Sequence, residues 1–344
     1  VEHRALPPGT AAATLDASGT VIAANPLLDG WIVTRLEPGS ETGSDASSEP
    51  RVVAVASTQP PRSTASRIGE LLFFTTTLAP WNTTDGKRSR FTCETCHHEG
   101  YVDGRVHFTG RDDVHATTRP LFGLFNNRPH FSRALDRTLT KMVHSEFRVA
   151  NRHTGRDPWF ELTRAELPWL ALVAGALDPL TPVALRESLM SFLIDFTHRA
   201  NPAATDHTRF TGPERVGATA FRDRCEGCHA ARLVADDAGS EIPFERWEAL
   251  VLSPAGPIVW GSASYEQTGV TPYVHANGAR VPSLRRLYKK WPYFTNGRAH
   301  SLAEVLDRFA WSPERAYHDA APAVGVERLT AAERTALLAF LDLL

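Results

Sequence analysis

Four cysteines fall in two pairs, each followed at once by a histidine: Cys93-Glu94-Thr95-Cys96-His97 and Cys225-Glu226-Gly227-Cys228-His229. Two thiols separated by two residues, with an imidazole next in line, form the attachment signature of c-type haem. The thiols add covalently to the haem vinyl groups and the histidine becomes the proximal iron ligand. The spacing therefore predicts two covalently bound haem c groups. Cys93, Cys96, Cys225 and Cys228 are the tethers, and His97 and His229 the iron ligands. Competing chemistries fit less well. A thioredoxin-like redox pair wants a βαβ setting, which neither stretch offers. A four-cysteine zinc site needs the pairs to meet in space, although about 130 residues separate them. With 14 His in 344 residues, chance placement of His after both pairs has a frequency of (14/344) squared, under 1 in 500.

Covalent haem attachment implies maturation outside the cytosol, so a bacterial periplasm or its equivalent is the expected compartment. The chain opens at Val1 rather than Met, and the expectation is a removed leader or a fragment. The remaining composition mainly excludes. A balance of 37 Lys+Arg against 39 Asp+Glu gives no global signal for nucleic acid. No apolar run approaches the roughly 18–20 residues that span a bilayer.

The elements that must hold these motifs divide into a β-rich opening and a helical remainder. In residues 1–62, β-type runs at Thr20–Ala24, Trp31–Leu36 and Arg51–Ala56 alternate with turn signals at Asp16-Ala17-Ser18-Gly19 and Asp29-Gly30. Pro38 to Pro50 has the composition of a loop or linker. Residues 16–25 resemble one blade of a β-propeller, so the segment is read as a small β-rich addition or a blade remnant. From Ser63 the pattern is helical. Capping boxes at Thr163-x-x-Glu166, Thr211-x-x-Glu214, Ser301-x-x-Glu304 and Thr330-x-x-Glu333 predict helix starts. Leu302, Val305, Leu306 and Phe309 share one predicted helix face, as do Leu337, Leu338, Leu341 and Leu344. Residues 183–198 form another predicted helix, ended by Asn201-Pro202. Each C-x-x-C-H follows an apolar segment, Ile68–Leu78 and Val216–Phe221. The expected fold is mainly α, with two cytochrome c-like haem domains at 63–205 and 206–344 behind the β-rich segment.

From about Arg67 to Leu344 the chain resembles the di-haem cytochrome c peroxidase family, which includes the MauG-type enzymes. Four stretches carry the resemblance: Arg67-Ile68-Gly69-Glu70-Leu71-Leu72-Phe73-Phe74; Pro213 to His229; Val281-Pro282-Ser283-Leu284-Arg285 with Pro292-Tyr293-Phe294-Thr295-Asn296-Gly297 and Ser301 to Leu306; and Leu329 to Leu344. The resemblance implies that the first haem is the peroxide site and that the second passes electrons to it.

A peroxidatic haem needs a group that moves a proton between peroxide oxygens. In the family a glutamate does this, and here the matching residue is Glu146, with His144 as the alternative base. His98, His107 and His115 are surface residues or a movable sixth ligand. The family's "FWDGR" landmark appears only as Phe131-Ser132-Arg133-Ala134-Leu135-Asp136, which leaves Trp159, Trp169 or Trp291 to lie near the gap between haems. The position where relatives place the second haem's distal Met or Tyr holds Phe309, which offers iron no lone pair. Met142 and Met190 lie outside that segment, so His275, His300, Tyr317 and His318 are candidate replacements. A calcium ion is common in the family, and Asn126 or Asn127 could supply an oxygen to it.

The resemblance thus implies a di-haem oxidoreductase that reacts with hydrogen peroxide. Its partner would be an electron-donor protein, a small cytochrome or cupredoxin. The alternatives are MauG-like oxidation of partner-protein side chains, toward which the missing methionine tilts the reading, and a plain di-haem electron carrier.

Overall fold

The structure is a computed structural model. It describes residues 6–35, 51–55, 62–78, 92–108, 115–131, 136–150, 159–196, 201–262, 264 and 280–344. Packing divides the chain into two compact units, Val1–Cys93 with Val143–Asp195, and Glu94–Met142 with Phe196–Leu344. These packing units are drawn differently from the motif-based segments 63–205 and 206–344, because residues 94–142 count with 196–344.

The first unit opens with an antiparallel meander of β1 (Ala12–Leu15), β2 (Thr20–Asn25), β3 (Gly30–Arg35) and β4 (Arg51–Ala54). The Asp16 carboxylate accepts from the backbone N–H of Ser18 and Thr20, both at 2.8 Å, and so closes the β1–β2 turn. Ala23 and Ile32 are paired across β2 and β3 and buried, whereas Trp31 on the other face is 46% exposed. Four antiparallel strands in sequence order is also the architecture of a single propeller blade. β1 was not expected, since all four of its residues are exposed and carry no alternation of apolar and polar types.

Behind the sheet, α1 (Thr64–Phe74) crosses α4 (Pro182–Asp195). The Ser63 hydroxyl caps α1 by accepting from the Ser66 N–H at 3.0 Å. Ile68, Leu71, Leu72 and Phe73 bury its apolar side. At the crossing sits Gly69, where any Cβ would collide with the Ser188 carbonyl oxygen and with Phe192. α2 (Leu139–Ala150) and the short α3 (Leu170–Ala174) complete the helices before α4. The Thr163–Glu166 box forms its local hydrogen bonds but only a turn follows. Pro168 lies five residues on and cannot donate a backbone hydrogen bond, so α3 starts only after it.

In the second unit, α6 (Gly212–Arg224) packs against α9 (Ala331–Leu341), both starting with complete capping boxes, at Thr211 and Thr330. Gly217 repeats the Gly69 device, since a Cβ there would collide with the Ala336 carbonyl oxygen. Beneath this pair, Phe221, Trp247, Trp260 and Phe340 form a buried aromatic cluster with ring centroids 4.8–6.2 Å apart. Trp247 comes from the short α7 (Trp247–Val251).

Two helix expectations need correction. α8 (Leu302–Asp307) stops before Phe309. Its Ser301 cap is real, but the Glu304 carboxylate reaches back to the His300 N–H rather than to Ser301. Asn201-Pro202 does not merely end a helix: Asn201 caps α5 (Pro202–Thr205), with Pro202 at the first helical position. Small strands complete the unit: β5 (Val106–Phe108) with β6 (His115–Thr117), and β7 (Ala310–Trp311) between β8 (Ala316–Tyr317) and β9 (Glu327–Arg328).

Candidate functional site

The second C-x-x-C-H is set by its helix. Cys225 is the C-cap of α6, its N–H bonding to the Phe221 carbonyl at 2.8 Å. The chain then makes one more turn, in which the Cys228 and His229 N–H groups both donate to the Cys225 carbonyl, at 3.1 and 2.9 Å. This turn brings the imidazole to the interior. His229 is buried, and burial lowers its pKa to about 3, helped by the neighbouring His318 and Lys290 and opposed by the Trp260 and Pro282 carbonyls. Its ring is therefore neutral and able to donate a lone pair. Burial pushes the Cys225 thiol up to about 12 and raises Cys96 as well. Both shifts run opposite to the lowered pKa of a thioredoxin-like pair.

Facing His229 is His318, one residue beyond β8. The two ring centroids lie 6.3 Å apart with the planes at 79°. Two imidazoles bound to one metal atom from opposite sides would show about this spacing, given bonds of roughly 2.0–2.1 Å plus the ring radius on each side. Burial lowers the His318 pKa to about 4. The Nδ1 atoms of both histidines are buried without a hydrogen-bond partner. Phe309 is 5% exposed, with its ring 5.4 Å from that of His318, and Phe294 stands 6.1 Å from the same ring. The phenyl ring thus packs against the imidazole that stands opposite His229. The His300 ring instead lies against Trp291, with centroids 6.1 Å apart and the planes tilted at 51°, and the Arg315 guanidinium covers the Tyr317 ring. His275 lies outside the described residues.

The first C-x-x-C-H begins in a short 3-10 turn, Cys93–Thr95. His97 Nδ1 lies 3.0 Å from the Arg119 carbonyl. A carbonyl only accepts, so Nδ1 carries the proton and the lone pair is on Nε2, the tautomer a metal-ligating histidine needs. Burial lowers the His97 pKa to about 4, which keeps it neutral. Downstream, the Leu121 N–H donates to the Gly100 carbonyl at 2.8 Å. His98 and His115 are exposed. His107 is engaged with Asp103 at 2.6 Å. Cys96, Asp103 and His107 bring their ligand atoms within 4.8 Å of one another. Among the described residues the two cysteine pairs form no joint four-cysteine cluster, so the zinc reading lacks its geometry.

Other expected residues fare unequally. His144 is exposed on α2. The side chain of Glu146 lies outside the described residues. Trp159 is buried and stacks on Phe160, whereas Trp291 is 47% exposed and covers Gly104. Asn126, expected as a calcium ligand, spends both ends of its amide: Oδ1 accepts from Arg285 Nη1 at 2.8 Å and Nδ2 donates to the Leu233 carbonyl at 2.8 Å. The oxygen meant for a cation faces a guanidinium instead.

Sequence reasoning missed a set of deep cations in the second unit: Arg119, Arg280, Arg285, Arg286 and Lys290. Burial lowers the pKa of all five, to about 10 for Arg119, Arg280 and Arg285 and about 8 for Arg286. No local pattern marked them as a set, since Arg119 and Arg280 lie outside the cation-dense stretch 285–290 and such residues ordinarily read as surface. His130 was also missed. It is 3% exposed with neither ring nitrogen bonded, and burial next to Arg280 and Arg128 lowers it to about 4.

This fold is similar to that of a MauG-like protein associated with microbial copper homeostasis, with a TM-score of 0.50 and 17% sequence identity over 83% of this chain and 90% of that one. A hydrazine synthase from Kuenenia stuttgartiensis aligns over 86% of this chain and 100% of that one, at 16% identity and a TM-score of 0.45. No protein-family model matches the sequence, and no curated protein matches it significantly. Among the described residues, no helix is long and apolar enough to cross a membrane.

Proposed function

We propose that this chain is a di-haem c-type oxidoreductase that acts on hydrogen peroxide at the His97 site and exchanges electrons with a partner protein through the His229 site, outside the cytosol. The observation that carries this reading is the pair of C-x-x-C-H motifs, each presenting a neutral histidine, His229 buried and His97 partly so. When bound, haem supplies the iron centre at which peroxide is reduced and electrons are held. The chain's own residues do the rest. Cys93 and Cys96 tether the first group and Cys225 and Cys228 the second. The Arg119 carbonyl fixes the tautomer of His97. Glu146 moves a proton from one peroxide oxygen to the other, with His144 as its substitute, so that two electrons and two protons convert one peroxide to two waters. His318, whose ring faces that of His229 at 6.3 Å, would help hold the second group's iron.

The His229–His318 pair favours, as a second reading, a MauG-like oxidant of partner-protein side chains over a relay from donor cytochromes. Imidazole in place of methionine lowers a haem potential and makes the site a poorer acceptor of donor electrons.

One experiment tests the assignment. Acid–acetone extraction should leave the colour with the protein, and a haemochrome assay should count two haems per chain. Resting spectra should show a bis-imidazole low-spin site that H318Q abolishes. E146Q should keep both haems and slow the peroxide reaction at least about a hundredfold. Extractable haem, bound zinc, or no reaction with peroxide would end the reading.

A further inference from the structure

Arg119, Arg280 and Lys290 lie deep in the second unit, yet each keeps part of its surface accessible. Each is thus surrounded by protein without being sealed in the core. Their hydrogen bonds reach only neutral oxygens. Arg119 Nη2 donates to Thr295 Oγ1 at 2.9 Å, Arg280 donates to the Phe131 and Val281 carbonyls at 3.0 and 3.1 Å, and Lys290 Nζ donates to the Ser283 carbonyl. Among the described residues none of the three pairs with a carboxylate. The charges that act on Lys290 are those of Arg119, Arg280 and Arg286, and Arg119 acts on Arg280. Arg285 differs, since Asn126 and the Gly123, Pro257 and Ile258 carbonyls satisfy it structurally.

Three like charges brought together away from bulk water are costly unless an anion joins them. Their position identifies the anion's neighbourhood. The Arg119 carbonyl holds the ring of His97, and Lys290 is close enough to His229 to depress its pKa. The cluster therefore runs from one motif histidine to the other.

We infer that Arg119, Arg280 and Lys290 form one shared anion seat that receives propionate carboxylates from both haems. This rests on the two-haem reading above and adds to it the residues that tie the two groups to one set of charges. Arginine offers a carboxylate two parallel N–H donors and lysine a compact point charge. A cation beside a haem favours the reduced, more electron-rich state, so removing it lowers the potential. Because the seat is shared, one substitution should move both haems.

The test uses the haem-loaded full chain and the variants R119Q, R280Q, K290Q and K290R. Haemochrome counts, spectroelectrochemical titration and the propionate bending bands in resonance Raman spectra are measured together. The expected result is two haems per chain in each variant. In K290Q and R119Q the one-electron reduction equilibrium should fall at least tenfold at both haems, about 59 mV, with shifted propionate bands, and K290R should restore most of it. Intact haem content with unmoved potentials overturns the seat. A shift confined to the same single haem in all three glutamine variants overturns its sharing. If added phosphate or acetate shifts the unmodified protein but not K290Q, the cluster binds a free anion and the proposal is wrong. Should R119Q fail to mature, K290Q and R280Q still decide it. A parent chain with no covalent haem would instead sink the functional reading.

Discussion

The α1–α4 and α6–α9 helix pairs are built on one plan and deliver different results. Each leading helix carries Gly-x-x-x-Phe, Gly69 to Phe73 and Gly217 to Phe221. In each, the glycine lets a partner-helix carbonyl approach and the phenylalanine is buried to 1% exposure. α6 then runs straight into its motif, with Cys225 as its cap. α1 ends at Phe74, leaving residues 75–92 before Cys93. The second C-x-x-C-H turn thus inherits its orientation from a packed helix. The first is oriented locally, by a 3-10 turn and by the bond between His97 and Arg119.

Truncating the two phenylalanines should separate these cases most clearly. F221A and F73A should each cost about 3–5 kcal/mol, the usual scale for emptying a buried aromatic position. F221A should also deplete haem from the Cys225–Cys228 peptide, while F73A leaves the Cys93–Cys96 peptide loaded. Peptide mass mapping reads the difference, and equal depletion in both variants would erase the contrast.

Acid sensitivity should come next. The histidines with lowered pKa among the described residues, His97, His130, His229 and His318, all lie in the second unit. With haem bound as proposed, His130 is the one of these four left to titrate. Unfolded, it takes a proton below about 6.5; folded, it stays neutral down to about 4. Stability is therefore lost as pH falls through that window, by up to about 3 kcal/mol, and is unaffected above it. Urea titrations at pH 7 and pH 4.5 should show a flatter profile for H130Q, and hydrogen exchange should place the loss in 94–142 and 196–344. An unchanged slope in H130Q would assign the sensitivity elsewhere.

The smallest effect tests the shared half of the plan. G69A and G217A each press a methyl onto a backbone carbonyl that cannot rotate away, and each should cost about 1–3 kcal/mol in denaturant. A neutral result at one crossing would show that its helices can part.

What the sequence revealed was local. The capping boxes at Thr211 and Thr330 and the Asp16 turn depend on residues within a few positions of each other, and all stand as read. The Thr163 box had the right residues but met Pro168, and α8 ended two residues short of Phe309. Phe309 was recognised as unable to coordinate, and His318 was among its four substitutes. Choosing between them required knowing that the chain doubles back through β7 and β8 to set His318 across from His229, a long-range fact without a local pattern. The deep cations were illegible for the same reason. Their residue type says surface, and only the tertiary fold brings Arg119, Arg280 and Lys290 together.

The cap at Cys225 also constrains how this chain can change length. In a helix each residue turns the chain by about 100°. Adding or removing one position between Phe221 and Cys225 would swing both thiols round the axis while Phe221 stayed locked in the aromatic cluster. Insertions and deletions should therefore be excluded from the three positions between Phe221 and Cys225, yet accepted upstream of Cys93, where among the described residues no helix runs into the motif. Divergence in length among homologous chains would then collect before the first motif and bypass the second.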